Sequence, residues 1–206
     1  GDTITQPVFV DLGGNIGFED DGPSLTVTNA TSGLLVDETA LGTNDTANFA
    51  DLFTASYGSD GEGTVGNYTL AVKSVGVDSL LVDTASGNHV YLFLENNVVV
   101  GREGADATAA VSGERVFTVS VVANTGVATL DQIRPVMHSV DGSTSVDHDD
   151  PIGIAGDLIT LTATITDKDG DTNTGTAQIG GAISFEDDGP SLTVTNATSG
   201  LLVDET

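Results

Sequence analysis

The chain has 206 residues, with 31 acidic side chains against 5 basic ones, a formal net charge of −26 and no cysteine. The missing cysteine excludes disulfides and thiolate metal sites, and the charge argues against nucleic acid or an anionic membrane as a partner, because both carry phosphate. No apolar run reaches the ~20 residues that a transmembrane helix needs.

Predicted strands, in chain order, are short, and several of them alternate apolar with polar side chains. They cover residues 25–27, 34–36, 68–72, 90–95, 98–102, 116–122, 127–130 and 158–166. The last is the clearest, because apolar residues alternate with threonine along its whole length. Asn96-Asn97 tolerates positive φ and predicts a hairpin turn, and Asn124-Thr125-Gly126 predicts a second one.

One helix candidate interrupts these strands, at residues 46–53. Asp45 precedes it as a possible N-cap, and Phe49, Leu52 and Phe53 share one stripe. Short strands separated by glycine and aspartate turns indicate an antiparallel sandwich. The predicted fold class is therefore all-β: an immunoglobulin-like or cadherin-like antiparallel β-sandwich with one short helix.

A long repeat sets the expected domain organisation, because residues 185–206 are identical to residues 18–39. Such identity predicts a tandem array, in which 1–17 end one unit, 18–184 form one full unit and 185–206 begin the next. Residues 1–12 lack the features of a signal peptide, so we expect an internal piece of a larger protein. Two questions stay open: whether 185–206 complete the present unit, and whether a unit holds one sandwich or two smaller bodies.

The carboxylates gather in short clusters, most of them near the repeat junction. Adjacent carboxylates raise one another's pKa unless a cation joins them. Oxygen-only coordination favours Ca²⁺ over Mg²⁺, which demands a tight octahedron, and over Zn²⁺, since the chain has no cysteine and three scattered histidines. The candidate Ca²⁺ ligands are Glu19, Asp20, Asp21, Asp37, Glu38, Asp147, Asp149, Asp150, Asp167, Asp169, Asp171, Glu186, Asp187, Asp188, Asp204 and Glu205. Asp60 and Glu62 lie apart from these clusters.

Asp167, Asp169 and Asp171 occupy alternate positions of one loop, so they project to the same side and suit one shared ion. The run resembles the opening of an EF-hand loop, but Thr172 and Gln178 stand where that loop has glycine and glutamate. The alternative interpretation is that these aspartates are solvated turn residues.

Five motifs follow one another along the chain: FEDDGP at 18–23, LLVDET at 34–39, SYGSDGEG at 56–63, ERVFTVSVVANTGVATL at 114–130 and TATITDKDGD at 162–171. This order resembles the tandem repeats of very large bacterial RTX adhesins, in particular the type I secretion repeat class. The resemblance implies a secreted, extracellular extender module at the bacterial cell surface, serving cell adhesion and biofilm formation.

The resemblance also implies Ca²⁺ at the linkers between repeats, which stiffens the array and projects a distal adhesive domain. By position, its linker ligands would be Glu19, Asp20 and Asp21 with Asp37 or Glu38, together with the 167–171 run of the preceding unit. The expected partners are neighbouring repeats of the same chain, with no membrane insertion, and we expect the fragment itself to be monomeric.

Other functions find less support in the sequence. No G-x-S-x-G elbow is present, and a chain with three tyrosines and no tryptophan offers little for a sugar-cleaving cleft, so we expect no enzyme. The alternative function is a Ca²⁺-dependent ligand-binding or sugar-binding adhesive module.

Overall fold

The computed structural model describes residues 13–15, 19, 21–139 and 150–188. Within these ranges the chain is built almost wholly of β-strands. They are β1 (Ser24–Val27), β2 (Leu34–Asp37), β3 (Asp45–Asn48), β4 (Phe53–Ser56), β5 (Thr64–Val72), β6 (Val77–Val82), β7 (His89–Glu95), β8 (Val98–Gly104), β9 (Arg115–Val121), β10 (Val127–Gln132), β11 (Pro151–Gly153), β12 (Ile159–Thr166), β13 (Thr172–Gln178) and β14 (Ile183–Glu186). The predicted all-β fold class is confirmed.

The strands form several sheets. The largest has the order β3-β10-β9-β8-β7-β6, two three-stranded sheets have the orders β13-β12-β5 and β11-β14-β2, and β1 pairs with β4. Neighbouring strands run antiparallel except β14 and β2, which run parallel. In the register of β12 and β5, Thr166 lies opposite Thr64, so the loop after β12 meets the loop before β5.

One hydrophobic core joins the sheets. Its buried side chains come from residues 30–185 and form a single cluster rather than two. Phe117 of β9 and Phe185 of β14 are both fully buried, with ring centroids 5.1 Å apart. Phe185 belongs to the second copy of the repeat, so at least the start of that copy packs into the same body as the strands before it.

The predicted strands and turns are present. Asn96 and Asn97 connect β7 to β8 with φ values of 52° and 63°, as a tight hairpin requires. Gly126 has a φ of 72° in the turn between β9 and β10. Along β12 every apolar residue is buried and every threonine is partly exposed.

The prediction of a helix at residues 46–53 is wrong. This stretch contains β3, one 3₁₀ turn at Ala50–Leu52 and the start of β4. β3 pairs with β10, and Phe49 and Phe53 are still buried, as an apolar stripe requires. Strand pairing outweighed the helical pattern because eight residues form too few turns to be stable alone.

The α-helix that does form, α1 (Ala107–Ala110), is a single turn that the sequence did not single out. The Asp106 carboxylate accepts hydrogen bonds from the backbone N–H groups of Thr108 and Ala109, each at 2.9 Å. An aspartate before an alanine-rich stretch is the typical N-cap pattern. In the described part of the chain, no helix is long and apolar enough to cross a membrane.

Two candidate metal sites

Three carboxylates meet where the loop after β12 approaches the loop before β5. We call Asp60, Asp167 and Asp169 the aspartate site, since one oxygen from each lies within 4.8 Å of the others. Asp167 is only 5% exposed, although it is charged at neutral pH and carboxylates are rarely buried unless paired. A bound cation would therefore stabilise the charged carboxylates of this site.

The two oxygens of Asp167 have different roles. Oδ1 accepts hydrogen bonds from the backbone N–H of Gly170 (3.1 Å) and of Asp171 (2.8 Å), and the Asp167 N–H donates to the Asp171 carbonyl (3.0 Å). These bonds fold the 167–171 loop back on itself. Oδ2 is buried and has no hydrogen-bond partner, which leaves it available to a ligand.

Asp60 reaches this point through a glycine-dependent approach of its loop. A Cβ on Gly63 would lie 1.9 Å from the Thr166 carbonyl oxygen, so only glycine allows the two segments to touch. Asp60 Oδ2, like Asp167 Oδ2, is buried without a hydrogen-bond partner. Two neighbouring carboxylates that each hold an unsatisfied buried oxygen are unusual in a protein interior, where polar atoms are nearly always bonded.

The electrostatics of the site favour a cation. The Asp167 carboxylate beside Asp169 raises the pKa of Asp169, and burial adds to the rise. Burial opposes ionisation of Asp167 as well, but the hydrogen bonds that it receives outweigh burial and lower its pKa. An ion with all-oxygen coordination would remove the repulsion that opposes charging Asp169.

Residues 21–23, which precede β1, lie beside the aspartate site. The Ser59 hydroxyl donates to Asp21 Oδ2 at 3.4 Å, and Gly58, with a φ of +67°, passes so close that a Cβ there would lie 2.5 Å from the Asp21 carbonyl. Farther along the same segment, the Asn173 side chain donates to the Pro23 carbonyl at 3.0 Å. The loop before β5 and the start of β13 thus hold Asp21 and Pro23.

A second group, which we call the histidine site, combines Glu38, His138 and Asp187. Glu38 is 6% exposed and follows β2 in a 3₁₀ turn, whose first residues Asp37 caps by accepting from the Thr39 N–H. Glu38 Oε1 accepts from Gln132 Nε2 and from the Val136 N–H, both at 2.7 Å.

Burial raises the pKa of Glu38, against these hydrogen bonds and the nearby His138, all of which lower it. The ring of His138 is buried, both of its nitrogens lack a hydrogen-bond partner, and its Nε2 lies 3.6 Å from Glu38 Oε1. The Gln132 side-chain oxygen is buried and without a partner too.

The structure brings together some of the predicted ligands and separates others. Asp167 and Asp169 meet in the aspartate site, and Glu38 and Asp187 meet in the histidine site. The predicted ligands that belong to neither group are Glu19, Asp21, Asp37, Asp150, Asp171, Glu186 and Asp188. Those outside the described residues are Asp20, Asp147, Asp149, Asp204 and Glu205.

Asp60 and His138 complete these groups, and sequence reasoning placed neither among the ligands. Asp60 stands in a D-G-E-G run whose glycines indicate a close backbone approach. That run indicates a loop with a close backbone contact, but it does not predict which segment the loop contacts. For His138 the sequence carries no comparable feature. It follows Met137, which is exposed, in a segment without regular secondary structure, so no strand pattern places its side chain inside.

A shallow groove gathers three of the five basic residues, Arg102, Arg115 and Arg134, but none is free to bind an anion. Arg102 and Arg115 share the Glu95 carboxylate at 2.9 and 3.0 Å, and Arg134 pairs with Asp83 at 2.8 Å. The groove therefore adds no ligand site.

Fold and sites together define an acidic all-β domain with two candidate cation sites. Residues 33–180 match the model of the family DUF5801, described as a domain of unknown function, and the chain belongs to this family. Neither a curated protein nor a solved structure matches the chain.

Proposed function

We propose that this domain is a Ca²⁺-binding structural extender unit of a secreted bacterial surface adhesin, in which Ca²⁺ stiffens the joints between tandem units. The observation that carries the proposal is that the carboxylates of Asp60, Asp167 and Asp169 converge, and that Asp60 Oδ2 and Asp167 Oδ2 are buried without a hydrogen-bond partner. Hard oxygen ligands of this kind are those that Ca²⁺ prefers.

The repeat supports a role for this site at the joint. Asp21 lies against the loop that carries Asp60, and Asp188 is its copy at the start of the next repeat. In an array, Asp188 would lie beside the aspartate site of the following unit. Asp187, one residue earlier, contributes to the histidine site of the present unit. Consecutive units would then meet across very few residues, so an ion that orders the loops there would remove hinge motion.

The charge of the chain gives the ion its effect. With a net charge of −26, neighbouring units repel each other at low ionic strength. Bound Ca²⁺ offsets part of this repulsion. Extracellular modules of this type hold Ca²⁺ with a Kd of about 10⁻⁴ to 10⁻³ M, so the site would be filled outside the cell. In a chain without cysteine, metal would take the stabilising role that disulfides have in other secreted proteins.

Thermal unfolding in excess EDTA, followed by a Ca²⁺ titration with Mg²⁺ as the control ion, tests this function. At 10–100 times its Kd, Ca²⁺ would stabilise the folded state by about 1.4–2.7 kcal/mol for each site. For a chain of this size that amounts to a rise in Tm of roughly 3–10 °C.

Two variants locate the effect. Asp60→Asn and Asp167→Asn should each abolish most of the Ca²⁺-dependent rise. Asp51→Asn, which removes the same charge from an exposed position, should keep it. A midpoint that ignores Ca²⁺, or that rises equally in all the variants, would show that these aspartates are ordinary turn residues.

A further inference from the structure

We propose that the histidine site binds a first-row transition-metal dication, of which Zn²⁺ is the natural probe, through Glu38, His138 and Asp187. The side chain of His138 is 1% exposed, and neither ring nitrogen has a hydrogen-bond partner. Buried polar groups nearly always have one, so this ring needs an explanation. Its ligand atom lies within 4.8 Å of a carboxylate oxygen from each of the other two residues.

The geometry suits a shared ion better than a direct contact. His138 Nε2 and Glu38 Oε1 are 3.6 Å apart, which is too long for a hydrogen bond. Two ligands that each lie ~2 Å from a tetrahedral Zn²⁺ are separated by roughly 3.3 Å. The observed separation is therefore close to that of two ligands around one metal.

The donor types set the class of metal. Ca²⁺ takes oxygen ligands, whereas an imidazole nitrogen beside carboxylates suits Zn²⁺ and its neighbours in the first transition row. In the sequence, Zn²⁺ was disfavoured because the three histidines are scattered. A Zn²⁺ site needs only one histidine when Glu38 and Asp187 supply the remaining protein ligands. Water would complete the coordination, as at other sites with three protein ligands.

The surroundings hold the ligands ready. Hydrogen bonds from Gln132 Nε2 and the Val136 N–H fix the Glu38 carboxylate, each at 2.7 Å. Such contacts orient metal ligands, and removing one typically lowers metal affinity about ten- to a hundredfold. Glu38 is thus held in place by its own protein contacts before any ion arrives.

The location indicates what the ion would do. Glu38 lies near the end of the first copy of the repeat and Asp187 near the start of the second. One ion would fasten the beginning of the second copy onto the present unit. The ligands and the class of metal differ from those of the aspartate site, so this proposal does not depend on the Ca²⁺ proposal.

The test is a Zn²⁺ titration of the full chain by calorimetry in saturating Ca²⁺, with Co²⁺ as a spectroscopic probe. The wild type should bind one tight equivalent of Zn²⁺, and Co²⁺ should give visible absorption bands that Zn²⁺ abolishes. His138→Gln and Asp187→Asn should weaken Zn²⁺ binding by more than about 100-fold. His89→Gln provides the matched control, because His89 is half exposed and pairs with Asp78 at 2.8 Å.

Each outcome decides the proposal. Tight binding that survives in His89→Gln and Asp167→Asn but is lost in Asp187→Asn supports it. The last variant changes only the charge of a partly exposed side chain of nearly the same shape, so misfolding should not confuse the result. Equal Zn²⁺ affinity in the wild type and in Asp187→Asn would overturn the proposal, as would the absence of Co²⁺ bands from the wild type. Loss of the Ca²⁺ effect with the Zn²⁺ equivalent intact would count against the proposed function alone.

Discussion

Asp83 has no exposed surface, yet its carboxylate is fully partnered. Arg134 donates to both of its oxygens at 2.8 Å, and Ser86 donates through its N–H (2.8 Å) and its hydroxyl (2.6 Å). The Arg134 guanidinium holds the pKa of Asp83 below its ordinary value. This site is the opposite of the aspartate site, because here the protein itself supplies the cation.

Removing that cation should be costly. We expect Arg134→Met to lower the free energy of unfolding at neutral pH by about 3 kcal/mol, since it leaves a buried carboxylate without its counter-charge. Lys73→Met should have a much smaller effect, because Lys73 and Asp157 are both about half exposed. Urea unfolding of the three proteins measures the difference, and equal effects of the two substitutions would contradict the argument.

The pH dependence of that difference follows from the lowered pKa of Asp83. A lowered pKa gives stability that is present above the unfolded value, near pH 4, and is lost as the pH falls through the folded value. In Arg134→Met, lowering the pH instead protonates the unpaired Asp83 carboxylate, which removes the cost of a buried charge. The deficit of the variant should therefore shrink from pH 7 towards ~pH 4.

Among the elements, the β7–β8 hairpin shows how a turn is tied to the next sheet. Both turn asparagines have positive φ, but only Asn97 also uses its side chain: its carbonyl oxygen accepts from the N–H of Leu70 in β5 at 2.7 Å. The pattern of the sequence predicted the turn from the asparagine pair. The pairing with β5 was not readable, because it joins residues far apart in the chain.

Glycine substitutions separate these two roles, because glycine keeps the positive φ and removes only the side chain. We expect Asn96→Gly to leave stability nearly unchanged. Asn97→Gly should lower it by about 1–2 kcal/mol, since the buried Leu70 N–H then loses its acceptor. Chemical denaturation of both variants tests this, and equal stabilities would mean that the Asn97 contact contributes nothing.

The stretch at 45–53 shows why one element was mispredicted. Its apolar stripe is real, and Phe49 and Phe53 are buried, but the partner that selects strand over helix is β10, more than seventy residues later. Asp45, placed as a helix cap, instead accepts from the Leu35 N–H at 2.8 Å. Local preference is weak over so short a segment, so a remote strand decides its conformation.

For the whole molecule, the folded body extends beyond residue 184, where the repeat unit in the sequence ends. β14 runs to Glu186, and Phe185 is fully buried against Phe117. A unit cut at residue 184 would therefore lack a core side chain. The predicted bounds 1–17, 18–184 and 185–206 describe the sequence repeat, and folding can be tested against them directly.

Chains covering residues 1–184 and 1–188 make that comparison. We expect the shorter one to be less stable by about 3–5 kcal/mol, the usual cost of emptying a phenylalanine site. Phe185→Ala in the longer chain should reproduce most of the loss. Calorimetric unfolding measures all three, and equal stability of the two chains would show that the end of β14, including Phe185, is dispensable.

Short-range patterns in the sequence were enough to determine the all-β class, the strand alternation, both hairpin turns, the acidic character and the tandem repeat, because each depends on residues close together or on plain identity. Tertiary structure alone decided which carboxylates meet. Asp60 reaches Asp167 because β5 and β12 pair with Thr64 opposite Thr166. His138 reaches Glu38 because the segment after β10 folds back onto the end of β2. A metal ion needs ligands that lie within a few ångströms of one another. In both candidate sites the ligands come from residues about a hundred positions apart in the chain, so only the packing of the strands sets those distances.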